Sequence, residues 1–302
     1  MRKFLIIGAA GTVGSYLMDY LKEKGEEAKG VDIAFHDERF IDILDPMSIE
    51  KCFYDHAPTH VILGAAAVGR VFNEIDQHNS VMVNIVGAFN VVRACLKHEC
   101  KLTYTGTSES YGNRFFTSRW NHGVIDEINV PLDFPGFQGI YGLTKLMAEK
   151  LIQHYAYNGG LEYSIARLFM CYAPHGSETN NKVAISRMMI SAIHNKPIEV
   201  HKNTSRAWCY VSDIVEGIYL VAVKGNRLYN IGNPNEYLTA VELATKIIKV
   251  SGSKSTINVC NAPGDIYPEK YFNISLAEDE LGFKPKVTLN QGLKWVYQAM
   301  AE

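Results

Sequence analysis

The sequence predicts a doubly wound parallel α/β sheet followed by a smaller, mostly helical C-terminal part. Two observations carry that expectation. Short apolar runs alternate through the first half of the chain with longer segments whose apolar residues recur at helical spacing, and the first run leads straight into a glycine-spaced turn, Gly8 to Gly14. Runs that are apolar throughout, rather than alternately apolar and polar, suit strands covered by helices on both faces.

Lys3 to Ile7 is the first such strand. Thr12 to Lys24 follows as a helix, with Val13, Tyr16, Leu17, Tyr20 and Leu21 on one stripe and Gly25 as its stop. Ala28 to Val31 gives a second strand, and Phe40-Ile41, closed by Asp42, a further short one. The alternation continues with His60 to Leu63, the helix Asn79 to Lys97, the strand Lys101 to Thr105, the helix Tyr141 to Tyr157 and the strand Tyr163 to Leu168. After Met170 the pattern changes to helices with short strands: Val183 to Asn195, Val211 to Val223, Leu228 to Ile231, Ala240 to Val250, Leu276 to Leu281 and Leu289 to Met300. Residues 1–169 are therefore expected as a dinucleotide-binding domain and 170–302 as a substrate domain. No Gly/Ser/Pro linker marks the boundary, which is approximate and leaves room for the two to interleave.

Bulk composition narrows the function classes. With 47% hydrophobic and 21% charged residues, a formal charge of −2 and no block of like charges, nothing collects nucleic acid or acidic membrane by charge. The six cysteines lie without CxxC or metal spacing, which reads as reduced thiols in a cytoplasmic protein and implies no metal site. The apolar run Phe4 to Ile7 breaks at Gly8, too soon for a signal peptide, and no run approaches the roughly 20 residues of a membrane span.

Gly8, Gly11 and Gly14, with Thr12 and Val13 between them, let the backbone turn tightly and approach a pyrophosphate at a helix amino end. Asp32 ends the second strand eighteen residues beyond Gly14, where a carboxylate accepts hydrogen bonds from an adenosine ribose; a 2′-phosphate would face that charge, so the pattern favours NAD over NADP. In such a sheet ligands bind beyond the carboxyl ends of the strands. The glycine loop, Ala65-Ala66-Ala67, Thr105 to Glu109 and Phe169 to Pro174 would all lie there. Tyr141 and Lys145, in Tyr-Gly-Leu-Thr-Lys, are four apart and share one helix face. An ammonium beside a phenol favours phenolate, a base able to take a proton from a sugar hydroxyl while a nicotinamide takes the hydride.

GAAGTVG, TGTSESYG (Thr105 to Gly112), YGLTK, RAWCYVSD (Arg206 to Asp213) and LGFKP (Leu281 to Pro285) occur in an order that resembles the extended short-chain dehydrogenase/reductase family, and within it the NAD-dependent nucleotide-sugar epimerases, dehydratases and decarboxylases. The resemblance runs nearly end to end. It implies that Gly8, Gly11, Gly14 and Asp32 hold NAD, with Asp42 near the adenine. Ile43, the Ala65 to Ala67 loop, Asn84 and Thr105 are assigned to the same cofactor site. It further implies Tyr141 as general base, Lys145 on the nicotinamide ribose, and Thr107 as the hydroxyl at the sugar O4, although a strand-end threonine also caps its own turn. The Thr107-Ser108-Glu109 order resembles UDP-glucuronate decarboxylases and GDP-mannose 4,6-dehydratases. Ser108 stands where dTDP-glucose 4,6-dehydratases have Asp, and Glu109 is either a C5-side acid/base group or a solvated loop residue.

Arg206 occupies the position that pairs with the nucleotide diphosphate, or else forms a surface ion pair. Lys270, Arg70 and His175 are further candidates on the substrate side, His175 being more ordinarily a solvated loop residue. Arg114, Arg119 and His122 lie on loops able to enter the sugar pocket. Two departures stand out: Met170 replaces a usual Asn, and Tyr267-Pro268-Glu269 fills the stretch where a second arginine is usual. The expected activity is C4 epimerisation of a nucleoside-diphosphate sugar through a 4-keto intermediate. Alternatives are 4,6-dehydration, decarboxylation, net oxidation or reduction, and a non-catalytic NAD-binding subunit. Family members pair as dimers through helices corresponding to Asn79 to Lys97 and Tyr141 to Tyr157, so a homodimer through a four-helix bundle is expected.

Overall fold

The computed structural model describes residues 2–116, 124–125, 127, 139–174, 184–261 and 271–301. Six parallel strands form the central sheet: β1 (Lys3–Ile7), β2 (Glu27–Val31), β3 (His60–Leu63), β4 (Lys101–Thr107), β5 (Tyr163–Leu168) and β6 (Leu228–Ile231), in the spatial order β6-β5-β4-β3-β1-β2. Order reverses between β1 and β3, so a crevice opens above the carboxyl ends of those two strands. Along β1 the side chains alternate between two apolar clusters. Phe4 and Ile6 pack on one face, with Leu17 and Leu21 of helix α1 (Thr12–Glu23). Leu5 and Ile7 pack on the other, with Phe53 of α2 (Pro46–His56) and with Val91, Val92 and Ile152. The period of two explains why β1 is apolar at every position from Phe4 to Ile7.

Helix α3 (Gln77–Lys97) and α4 (Ile140–Gly159) cover the second face, and α5 (Val211–Lys224) lies on the first. The first-face cluster also takes in Ile185, Met189, Leu243, Ile247, Leu289 and Leu293 from the C-terminal helices, so the apolar core is continuous from Phe4 to Val296. β6 comes from beyond Met170 yet pairs with β5, so the sheet draws on both sides of residue 170.

Three expectations change. Phe40 makes only a single bridge to Asp32, so the short strand before Asp42 does not form. Helix α2 arises where no helix was expected: Asp45 caps it by accepting from the Met47 amide at 2.9 Å, and Pro46 opens its first turn. Finally, α3 is 21 residues long and apolar enough to span a membrane on length and composition alone. Its buried stripe of Gly87, Ala88, Val91, Val92 and Cys95 packs on the sheet, which places it as a core helix. A π-helical turn at Met82–Gly87 interrupts it, a local widening often found beside functional sites.

Candidate active site

The glycine loop leaves β1 with Gly8 at φ +101°, in the region that glycine alone enters freely. A Cβ there would stand 2.5 Å from the Ala65 amide nitrogen, so the loops after β1 and β3 touch backbone to backbone across the crevice. A Cβ on Gly14 would meet the Gly8 carbonyl oxygen at 2.1 Å, which is why α1 begins so close to the turn. Gly11 precedes α1 with no side-chain cap, and no acidic residue lies in the first turn. The end of α1 therefore presents amide N–H groups and a positive dipole to an anion. Asp32 faces this loop and accepts from the Ala10 and Ala34 amides, both at 3.0 Å. Each carboxylate oxygen retains lone pairs for a further donor.

On the other side of the crevice Asn84, inside the π-turn of α3, holds three groups. Its Oδ1 accepts from the Ala67 amide at 2.8 Å, and its Nδ2 donates to the Ala67 carbonyl at 3.2 Å and to Thr144 Oγ1 at 3.1 Å. Thr144 in turn donates to the Tyr141 carbonyl at 3.1 Å. The loop after β3 is thus fastened to the first turn of α4. Thr105 donates to the Leu63 carbonyl at 3.1 Å, fixing the end of β4 beside β3. Asp42 accepts from the Leu44 amide at 2.8 Å, and Ile43 packs inward against Gly87.

Thr107, Glu109 and Tyr141 meet where β4 ends, with Lys145 one turn further along α4. Thr107 is buried, its hydroxyl is hydrogen-bonded to the Tyr141 phenol, and it accepts from the Glu109 amide at 3.3 Å. Gly142 permits the close approach of α4, since a Cβ there would lie 2.6 Å from the Glu109 carbonyl oxygen. Glu74 caps the same helix by accepting from the Ile140 amide at 2.7 Å. Ser108 is buried beneath the turn.

The electrostatics differ from the sequence expectation. Burial pushes the Tyr141 phenol up to about 12; the Thr107 hydrogen bond pulls the other way and the Glu109 carboxylate adds to the rise. Lys145 is almost fully buried with Nζ 4.1 Å from the centre of the Tyr104 ring. Its seat over an aromatic face stabilises the ammonium, but burial pulls it down to about 7 against the opposing field of Glu149. Desolvation is the largest influence on both groups.

Beyond β5, Met170 holds a left-handed backbone at φ +39° and accepts from the Cys209 amide at 3.2 Å. Asparagine tolerates that region better than a long side chain does, so the substitution read in the sequence falls at a backbone-constrained point. Met170 borders a cavity of about 740 Å³ whose walls include Arg187, Lys196, His201, Arg206 and Trp208. Three cations around a space of ligand size suit a polyanion. Arg206 donates to the Ser205 carbonyl at 2.7 Å. His175, Lys270, Arg119 and His122, and the stretch 267–269, lie outside the described residues, as do the side chains of Arg70 and Arg114.

The NAD dependent epimerase/dehydratase family model matches residues 4–232. The chain belongs to that family. UDP-glucuronic acid decarboxylase 3 of Arabidopsis thaliana is 27% identical, with 96% of this chain and 86% of that protein covered. UDP-glucuronic acid decarboxylase 1 of Xenopus tropicalis is 28% identical, covering 97% and 70%. A UDP-glucuronic acid 4-epimerase from Bacillus cereus, solved with UDP-glucuronic acid and NAD, superposes with a TM-score of 0.84 at 25% identity, over 99% of this chain and 98% of that one. At 21% identity a dTDP-glucose 4,6-dehydratase from Bacillus anthracis shares the fold, with a TM-score of 0.79 over 99% and 96%.

This epimerase/dehydratase is accordingly an NAD-dependent enzyme of the extended short-chain dehydrogenase/reductase family. Its glycine cradle fits the cofactor: the chain passes too close to itself at Gly8 and Gly14 to admit a Cβ, which keeps the loop tight, and the end of α1 has no side-chain cap from Gly11 and directs its dipole there. Gly14→Ala should therefore both weaken NAD binding at least about ten-fold and lower stability by about 1–3 kcal/mol, read by calorimetric titration and denaturant unfolding. The Gly14 clash is with backbone, which cannot rotate away. Sequence reading missed several parts of the epimerase/dehydratase site: Gly142, Glu74, the cavity cations Arg187 and Lys196, and a buried Glu149–Arg167 pair. Only Gly142 had a local signal, its place directly after Tyr141.

Proposed function

We propose that this enzyme is a C4 epimerase of a nucleoside-diphosphate sugar. The observation that carries the reading is the hydrogen bond between Thr107 and Tyr141 at the carboxyl end of β4, beside the crevice that the glycine loop opens. NAD, when bound, supplies a reversible acceptor for the hydride of the sugar C4. The Gly8 to Gly14 loop binds its pyrophosphate, Asp32 accepts from its ribose hydroxyls, and Lys145 donates to the nicotinamide ribose. The loop Ala65 to Ala67, braced by Asn84, forms the facing wall, and Thr12, Val13, Thr105, Asp42 and Ile43 complete the cofactor side. Tyr141 takes the proton of the C4 hydroxyl and returns it, with Thr107 orienting that oxygen through a hydroxyl that both donates and accepts. Burial opposes the phenolate, so the return of the proton is the easier half of the cycle. Arg206, with Arg187 and Lys196, supports diphosphate binding in the neighbouring cavity; Arg70, His175 and Lys270 stay assigned to the substrate side.

Glu109 favours a second reading. Its carboxylate acts on the Tyr141 phenol, close enough to serve a C5 proton or the charge of a departing carboxyl group, as 4,6-dehydration or decarboxylation requires. Product mass decides between the two. Incubated with UDP-glucose and with UDP-glucuronic acid, an epimerase returns products of unchanged mass, a dehydratase loses water and a decarboxylase loses carbon dioxide. A stoichiometric change in nicotinamide absorbance would instead mark a net dehydrogenase.

The homodimer belongs to the same proposal. On α3 and α4 Val91, Val92 and Ile152 are buried in the chain's own core, whereas Val81, Met147 and Tyr157 are exposed and suit a helix-to-helix interface. The enzyme acts in the cytoplasm on this reading.

A further inference from the structure

Helix α4 carries a carboxylate that the chemistry above does not use. Glu149, one turn beyond Lys145, is fully buried, and Arg167 of β5 is 1% exposed. Arg167 Nε donates to both Glu149 oxygens at 3.1 and 3.0 Å, and Nη2 donates to Oε2 at 2.5 Å. Ser110 approaches Oε1 at 3.4 Å. Space for the carboxylate is made by Gly106 on β4, where a Cβ would lie 2.5 Å from Oε1. The guanidinium also rests on the Tyr111 ring at 4.4 Å, and Tyr111 donates to Asn230 on β6 at 2.7 Å. A paired charge of this kind costs desolvation and is weak evidence for stability as such. Its position one turn beyond Lys145 offers a different account.

We propose that Glu149 is a positioning residue: clamped by Arg167 and Ser110, it supplies the buried countercharge that keeps Lys145 an ammonium on the Tyr104 ring. The role rests on the reading of Lys145 as the group that donates to the NAD ribose. The titratable and charged groups packed around this seat are Tyr104 from β4, Glu109 and Tyr111 from the following turn, Tyr141, Glu149 and Lys150 from α4, and Arg167 from β5. Among them the Glu149 carboxylate is what opposes the effect of burial on Lys145. Without it, burial acts alone and the Arg167 cation is left to repel the ammonium.

The sign follows. Lys145 binds NAD as a cation, so affinity falls as pH rises through its pKa, and removing Glu149 moves that fall to lower pH. The test is NAD affinity of the full chain from pH 5.5 to 9 by calorimetric titration, with folding followed by circular dichroism. In Glu149→Gln the midpoint should move down by at least about one pH unit, weakening NAD near pH 7 by about five-fold. Glu149→Asp should restore much of it. The double variant Glu149→Gln/Arg167→Met, which orphans no charge, should fold and recover part of the shift because the repelling cation has gone too.

A merely structural Glu149 would lower thermal stability and leave the midpoint in place in Glu149→Gln and in the double variant; that result overturns the proposal. A parent whose NAD affinity does not vary with pH, and is unaltered by Lys145→Met, would instead remove Lys145 from the cofactor site and the role of Glu149 with it.

Discussion

Tyr141→Phe should lower turnover by about 10²- to 10⁴-fold, the range that a positioned acid or base contributes, while NAD binding and melting temperature stay near the parent's. The change deletes one oxygen and keeps the ring. Tyr141 gives up its hydrogen bond with Thr107, whose oxygen still accepts from the Glu109 amide, so no buried group is orphaned and the fold has little to lose. Loss is confined to the proton that must leave and rejoin the sugar oxygen. Single-turnover kinetics with UDP-glucose and UDP-glucuronic acid, alongside NAD titration, reads both quantities. Turnover within ten-fold of the parent would remove Tyr141 from the reaction. A parallel loss of NAD affinity would move its role to the cofactor.

The largest effect on stability is expected from Arg167→Met, about 3–5 kcal/mol, because it leaves the fully buried Glu149 carboxylate without its hydrogen-bonded cation. For a chain of this size that corresponds to a fall in melting temperature of roughly 10 °C. Adding Glu149→Gln to the same background should recover most of the loss, since a neutral amide next to a thioether carries no charge to solvate. Denaturant unfolding of the parent, both single variants and the double variant yields the coupling energy directly. Additive losses would show that the two side chains act separately despite their contact.

The parts of this molecule legible in its sequence are those written in consecutive residues. The β1–glycine turn–α1 unit could be read because a buried strand, a tight turn and a helix stop each leave a local mark. Helix and strand limits in the C-terminal half fell within a residue or two for the same reason: Leu228–Ile231 and Val211–Lys224 are bounded by Gly225 and Gly232. What escaped depends on contacts between distant residues. The pairing of Leu228–Ile231 with β5 is a matter of topology that four residues cannot announce. Helix α2 did have its signal, Asp45-Pro46, but its apolar stripe of Ile49, Cys52 and Phe53 is short.

Around Tyr141 the spacing to Lys145 put both groups on one helix, and their ionisation was not legible in it. Spacing says which groups are neighbours, whereas their ionisation depends on how much water the folded chain removes. The Glu149–Arg167 pair, eighteen residues apart on a helix and a strand, was out of reach of any motif.

The grip of Asn84 has a mechanical consequence for the crevice. One amide side chain ties the wall after β3 to the helix that carries Tyr141, through three bonds formed together. Prising those walls apart would sacrifice either the bond to Thr144 or both bonds to Ala67, a toll of about 1–2 kcal/mol at roughly 1 kcal/mol apiece. That side of the cleft is therefore a fixed jaw. On the function proposed above, whatever breathing admits and releases a nucleotide sugar falls to the opposing side, built from the segments beyond Met170.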